Sequence, residues 1–142
     1  MKVYKFGGAS VKDAAGVRNL LDIVAGESDL FIFVSAMGKT TNALEGVFAA
    51  MQQGDEAAAM ERIAESYAYH RSIIDELMGA DITIAAVDTL FEQLRNIVRN
   101  TIYRASDAEL WYDTIVAFGE LISTTIVSNY LNGHGVKNRW VD

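Results

Sequence analysis

The chain has 142 residues and a formal net charge of −7, with 12 Lys and Arg against 19 Asp and Glu. The hydrophobic content of 51% is typical of a globular domain and excludes a disordered chain. The acidic excess argues against nucleic-acid binding, and the absence of Cys excludes disulfides, thiolate catalysis and Cys-ligated zinc. No apolar run approaches 18 residues and no signal peptide is recognisable, so we expect a cytoplasmic protein that does not cross a membrane.

The first 50 residues alternate between strand and helix patterns. Residues 3–6 form a short apolar stretch that ends at Gly7-Gly8, which predicts a strand followed by a tight turn. Residues 30–34 (LFIFV) are an unbroken apolar run, typical of a strand buried on both faces of a parallel sheet, and Gly38 follows it. Strands that alternate with helices predict an α/β protein.

Capping residues predict where the first two helices begin and end. Ser10 and Asp13 have the spacing of a capping box, which favours Ser10 as the N-cap of a helix that Gly26 ends. The second helix is predicted to restart at Asn42.

The middle of the chain has only helical patterns. Apolar stripes at helical spacing cover residues 60–77 and 87–98. We interpret residues 55–105 as a helical subdomain inserted between sheet elements, with ordinary helices packed on the sheet as the alternative. His70 lies on the first stripe and is predicted to be a packed or edge histidine rather than a ligand or a base.

A third long helix is predicted from a capping box at Ser106, with Gly133 as its left-handed C-cap and a last strand at residues 136–141. Gly119 interrupts the interior of this helix at a cost of about 1 kcal/mol relative to Ala, which indicates that another group approaches closely there. Glu120 follows it, either as a surface carboxylate or as the partner of a cationic ligand group.

Two glycine turns follow the first two predicted strands, at residues 5–10 (KFGGAS) and 35–42 (SAMGKTTN). Ligands of parallel sheets bind outside the carboxyl ends of the strands, and glycine turns that open helices suit anions. Lys5 and Lys39 add positive charge, and a lysine within a strand is costly to bury without an anionic partner. A Walker motif that ends at Gly38-Lys39 would need Gly at position 33, where this chain has Phe33. The glycines also lack the spacing of a GxGxxG motif, so neither nucleotide-binding motif is present. The turns therefore predict an anion site, with purely structural tight turns as the alternative.

Together, these segments resemble the aspartate kinases of the amino-acid kinase superfamily. Residues 5–11 are similar to that family's opening motif KFGG[TA]SV, and residues 34–42 to its second-strand motif VSAMGKTTN. Residues 118–123 are similar to its helix motif FGE-x-x-S. The motifs occur in the family's order and the resemblance covers the whole chain, although Ala9 stands where the family more often has Thr.

The resemblance implies a three-layer αβα fold with the parallel sheet of the amino-acid kinase (carbamate-kinase-like) domain, of which this chain would be the N-terminal half. It implies transfer of the γ-phosphoryl of ATP to the side-chain carboxylate of L-aspartate, the first step of lysine, threonine and methionine biosynthesis, by a homo-oligomer. We expect the nucleotide-binding half and the regulatory domains to lie beyond residue 142. The 142-residue chain alone is therefore expected to be inactive.

The resemblance also implies the roles of individual residues. Lys5 would be catalytic, and the ATP phosphates would contact Lys5, Gly7, Gly8 and Ser10. The aspartate site would contain Ser35, Thr41 and Glu120. Mg²⁺ would arrive with ATP, without a metal site made by the protein alone.

Two other interpretations remain open. Another member of the superfamily, such as a glutamate or acetylglutamate kinase, would share the opening motif. A non-catalytic binding or interaction domain is the second.

Overall fold

The computed structural model describes residues 1–139. The elements in chain order are β1 (Lys2–Phe6), α1 (Ala14–Val24), β2 (Leu30–Val34), α2 (Thr40–Gln52), α3 (Glu56–Met78), α4 (Ala85–Asn100), a 3₁₀ turn (Ala105–Asp107) and α5 (Ala108–Gly133). The predicted last strand is not found in residues 136–139, which have no regular structure, and its other residues lie outside the described range.

The two strands form a parallel pair in which Lys2 lies opposite Leu30 and Phe6 opposite Val34. A parallel pair needs a crossover connection, and α1 provides it. The α/β order predicted for the first 50 residues is therefore confirmed.

The prediction that the second strand is buried on both faces is wrong. Alternate residues of a strand point to opposite faces of a sheet. Phe6 and Val34 are buried on the inner face, whereas Val3 and Phe33 on the outer face are 54% and 53% exposed. An apolar run indicates which residues can be buried, but other elements must cover them, and none of those in residues 1–139 fully covers this face.

The first two helices begin at different residues from those predicted. Asp13, rather than Ser10, is the N-cap of α1, because its Oδ1 accepts the N–H of Gly16 at 2.8 Å. Ser10 lies in the preceding turn, where its N–H donates to the carbonyl of Gly7 at 2.9 Å. Helix α2 begins at Thr40, two residues before Asn42.

The ends of α5 also differ from the prediction. Ser106 lies in the 3₁₀ turn, and the N-terminus of α5 has no side-chain cap hydrogen bond. Gly133 is the last helical residue, and the left-handed residue is Gly135, with φ +82°.

The helical interpretation of the middle of the chain is confirmed in its secondary structure. Helix α3 packs against α1, α2 and α4, and α5 packs against α2, α4 and β2. Buried side chains of all these elements belong to one hydrophobic cluster. Whether residues 55–105 form a separate subdomain stays a prediction.

Helix α5 is the most apolar helix of the described chain. With the 3₁₀ turn it is long enough to cross a membrane, and its most apolar 18-residue window has a mean hydropathy of 1.2. Half of that window is buried inside the protein. The core helix of a globular protein has these same properties, and the packing of α5 on three other elements fits that description.

Candidate functional site

The two glycine turns lie side by side at the carboxyl ends of β1 and β2. The N–H of Gly38 donates to the carbonyl of Gly8 at 3.0 Å, and the N–H of Ser35 donates to the carbonyl of Phe6 at 2.9 Å. The prediction that both turns lie at one end of a parallel sheet is confirmed.

The glycines of these turns have different roles. A Cβ on Gly8 would lie 2.9 Å from the carbonyl oxygen of Ala36 and 3.1 Å from that of Gly38. Gly38 has φ +54°, a left-handed conformation that favours glycine, and a Cβ there would collide with the Tyr69 hydroxyl. At Gly7 no atom lies within 4 Å of the Cβ position. Gly8 and Gly38 therefore allow the turns to pack, whereas Gly7 leaves one side of the backbone open.

The second turn presents free backbone donors. Lys39 occupies the N-cap position of α2 without a side-chain cap hydrogen bond, and the N–H of Thr40 donates to the carbonyl of Met37 at 3.0 Å. Within residues 1–139, no acceptor is found for the N–H groups of Thr41 and Asn42. Such groups at a helix N-terminus carry partial positive charge and suit an anionic ligand.

Lys5 lies near the end of β1, opposite Phe33 and on the outer face of the sheet. Its side chain is exposed, so the cost of burying a lysine without an anionic partner does not arise here. The cause is the uncovered outer face, which leaves the ammonium group in contact with water.

The predicted close approach at Gly119 is confirmed. A Cβ on Gly119 would lie 2.8 Å from the Cβ of Ala36 and 3.3 Å from Leu44 Cδ1. The Ser123 hydroxyl donates to the carbonyl of Ser35 at 2.7 Å. These contacts hold the FGE turn of α5 against the carboxyl end of β2.

Glu120 is exposed beside this contact. It lines a groove of about 680 Å³ that runs between β2 and α5 and continues to residues 136–139. The lining includes neither Lys5 nor Thr41. In the described part of the chain, no hydrogen bond or ion pair joins the side chains of Lys5, Thr41 and Glu120. Their convergence on one ligand stays a prediction.

Two residues of α3 contact the glycine turns, although the motifs do not include them. The Tyr69 hydroxyl donates to the carbonyl of Lys12 and packs against Gly38. His70 is completely buried, as predicted, and its Nε2 lies 3.4 Å from the Thr40 hydroxyl. The sequence signal for this contact is a polar pair, Ser66 and His70, on an otherwise apolar stripe.

Burial changes the titration of both side chains. It lowers the pKa of His70, against the opposing effect of the hydrogen bond to the Ser66 carbonyl. It raises the pKa of Tyr69, with a further contribution from the negative charge of Asp13. Both side chains are therefore held in their neutral forms at neutral pH.

Comparison of the sequence with models of protein families agrees with these structural features: the parallel strands, the two packed glycine turns and the FGE helix. The model of the amino acid kinase family matches residues 1–142. The chain belongs to the amino acid kinase family.

Within that family, the relatives are aspartokinases. The chain is 33% identical to aspartokinase 1, chloroplastic, of Arabidopsis thaliana over 99% of its own length and 25% of the relative's. It is 32% identical to the aspartokinase of Chlamydia trachomatis over 90% of its length and 27% of the relative's. The chain thus spans about a quarter of these proteins.

Solved structures show the same fold. The structure of Escherichia coli aspartokinase III in complex with aspartate and ADP matches with a TM-score of 0.81 at 23% identity. The match covers 99% of this chain and 31% of that one. This likeness supports the N-terminal part of the αβα amino-acid kinase fold.

Proposed function

We propose that this chain provides the amino-acid-binding part, and some of the phosphate contacts, of a kinase that transfers the γ-phosphoryl of ATP to the side-chain carboxylate of L-aspartate. The product is 4-phospho-L-aspartate. The observation that carries the proposal is the packing of the two glycine turns against each other and against the FGE turn of α5, in a chain whose relatives are aspartokinases.

The chemistry explains the kinds of residues in these motifs. A carboxylate is already ionised at neutral pH, so the acceptor needs no general base. The obstacle is that two anions must meet, and catalysis then depends on positioning and on neutralising charge. Glycine turns, free backbone N–H groups and lysines supply both, without a nucleophilic side chain.

Each motif has a part in the proposal. Lys5 contacts the phosphates and stabilises the transferring group. The open backbone of Gly7, with Gly8 and Ser10, faces the phosphates. Ser35 and Thr41 line the aspartate site, where the free N–H groups at the start of α2 are suited to the substrate carboxylate. Glu120 accepts hydrogen bonds from the substrate ammonium group.

The co-substrate is ATP with Mg²⁺, which the nucleotide carries. The structure of the aspartokinase III relative contains ADP and aspartate. The open side of Gly7 and the donors of Thr41 and Asn42 fit anionic oxygens. A cytoplasmic homo-oligomer is part of the proposal and rests on the resemblance. Because the chain spans about a quarter of its relatives, we expect no activity from the 142 residues alone.

The proposal is tested on the protein as its gene encodes it, by trapping the acyl phosphate with hydroxylamine in the presence of MgATP and L-aspartate. We expect Lys5→Ala to reduce kcat roughly a hundredfold or more, because it removes a charge that stabilises the transition state. Lys2→Ala is the matched control, because Lys2 lies on the same strand but is paired with Glu27. Equal rates for the two variants would refute the role of Lys5.

Glu120→Gln tests the amino-acid end of the site. Losing a charged hydrogen bond costs about 1.5–3 kcal/mol, so KM for aspartate should rise roughly tenfold or more. Glu109→Gln, an exposed substitution in the first turn of α5, is the control. L-Glutamate and N-acetyl-L-glutamate as alternative acceptors distinguish the other kinases of the family, and the absence of any acyl phosphate would favour a binding domain.

A further inference from the structure

Adjacent residues of α3 contact the second glycine turn and the segment that joins the first turn to α1. Tyr69 donates to the carbonyl of Lys12, in the segment that joins the first turn to α1, and lies against Gly38 of the second turn. His70 reaches Thr40, the first residue of α2. Thr40 also packs against α5, because its Cγ2 would lie 3.5 Å from a Cβ on Gly119. One turn of α3 is therefore in contact with the surroundings of all three motifs.

The hydrogen bonds around His70 fix its tautomer. Its Nδ1 lies 2.7 Å from the carbonyl oxygen of Ser66, which can only accept, so Nδ1 carries the proton of the neutral ring. Nε2 is then an acceptor, and its neighbour is the Thr40 hydroxyl at 3.4 Å. That hydroxyl has one proton, which it donates to the carbonyl of Met37 at 2.6 Å.

Two acceptors, the Met37 carbonyl and Nε2 of His70, therefore share the proton of Thr40. His70 and Thr40 are 0% and 2% exposed, so the pair is shielded from bulk solvent. Within the described chain, the buried hydroxyl of Ser66 also has no hydrogen-bond partner. The shared Thr40 hydroxyl therefore links α3 to the start of α2, in addition to the backbone bond from the Thr40 N–H to the Met37 carbonyl that closes the second turn. The next residue is Thr41.

We propose that Tyr69 and His70 are positioning residues that hold the two glycine turns and the start of α2 in the geometry needed to bind the acidic amino acid. This inference rests on the proposed function for its substrate. Tyr69 braces the segment that follows the first turn against the second turn, and His70 links the start of α2 to α3 through the Thr40 hydroxyl. Neither side chain needs to touch the ligand.

The first test measures the turns without activity. In the protein as its gene encodes it, hydrogen exchange is followed by mass spectrometry in peptides that cover residues 7–13 and 36–42. Losing one hydrogen bond of ordinary strength should accelerate local opening about fivefold. We expect this in both peptides for Tyr69→Phe and in the second for His70→Leu. Tyr67→Phe is the matched control, because that hydroxyl lies on the same helix but donates to Asp88 of α4.

The second test measures substrate binding. Tyr69→Phe and His70→Leu should raise KM for aspartate about fivefold with a smaller change in kcat, and Tyr67→Phe should not. His70→Gln, which keeps a hydrogen-bonding group without a titrating ring, should restore KM. It should also remove the rise in KM that we expect for the native protein once the pH falls below the pKa of His70, which burial holds under its ordinary value. The groups that face the ring are Thr40 of α2, Phe91 of α4 and Tyr69, and no ion pair to it exists among residues 1–139.

The outcomes separate the two proposals. If exchange in the two turns is the same for Tyr69→Phe and Tyr67→Phe, the positioning role is refuted. If the turns loosen but KM is unchanged, the role is structural only and the inference is overturned. A native protein that phosphorylates no aspartate refutes the proposed function, and the exchange measurement still decides whether these residues hold the turns.

Discussion

Replacing Gly8 by Ala tests the contact between the two glycine turns. The added methyl group would lie 2.9 Å from the carbonyl oxygen of Ala36 and 3.1 Å from that of Gly38. Both neighbours are backbone atoms, which cannot rotate away. Gly7→Ala adds the same group one residue earlier, where no atom lies within 4 Å. Neither glycine has a left-handed backbone, so the two substitutions differ only in space.

The expected magnitude follows from this geometry. Relieving the contact moves the turns apart by a few tenths of an ångström, and such overpacking costs about 1–3 kcal/mol. The separation also weakens the bond from Gly38 to the Gly8 carbonyl, which contributes about 0.5–1.5 kcal/mol. Gly8→Ala should therefore lower the free energy of unfolding by about 2–4 kcal/mol, and Gly7→Ala should stay within about 0.5 kcal/mol.

Urea unfolding followed by circular dichroism measures the difference. With m of about 2 kcal/mol per molar, the midpoint of Gly8→Ala should fall by about 1–2 M at an unchanged m. The midpoint of Gly7→Ala should match that of the unsubstituted chain. Coincident midpoints for the two variants would show that the turns do not pack as described.

Three further predictions concern other parts of the chain. Burial lowers the pKa of His70 in the folded chain, so the unfolded chain binds a proton more readily than the folded chain does. The free energy of unfolding should therefore decrease as the pH falls below about 6.5, the ordinary pKa of histidine. Urea midpoints measured between about pH 7.5 and pH 5 should show this decrease. The midpoint of His70→Gln should change less over the same pH range. Arg71 ties α3 to the α3–α4 loop through the carbonyls of Ala80 and Ile82, so Arg71→Met should accelerate hydrogen exchange in that loop, and unchanged exchange would contradict the contact. Val3 and Phe33 are exposed on a sheet to which no third strand of residues 1–139 is added, so the 142-residue chain should self-associate, whereas light scattering from a clean monomer would refute this.

The features that could be predicted from the sequence are those that depend on the conformational preferences and hydrophobicity of neighbouring residues. The apolar run at residues 30–34 and the glycines that follow it were enough to predict a parallel pair with two turns at one end. Gly119 indicated a close approach because glycine is unfavourable within a helix, and the contact with Ala36 explains its presence.

Other features depend on contacts that the sequence does not show. Ser10 and Asp13 are both good N-caps, and only the packing of the first turn decides that Asp13 caps α1. The exposure of Lys5 depends on whether the outer face of the sheet is covered, which is a property of distant segments. The contact between His70 and Thr40 joins residues 30 positions apart, so the helical stripe predicted the burial of His70 but not its partner.

The central claim is that Lys5, Thr41 and Glu120 surround one amino acid and the phosphates of its co-substrate. The most direct measurement is a crystal structure of the protein, as its gene encodes it, with L-aspartate and ADP bound. The account predicts Glu120 within hydrogen-bond distance of the substrate ammonium, Thr41 beside a substrate carboxylate and Lys5 at the phosphates. Aspartate bound elsewhere, or these three side chains on separate surfaces, would contradict it.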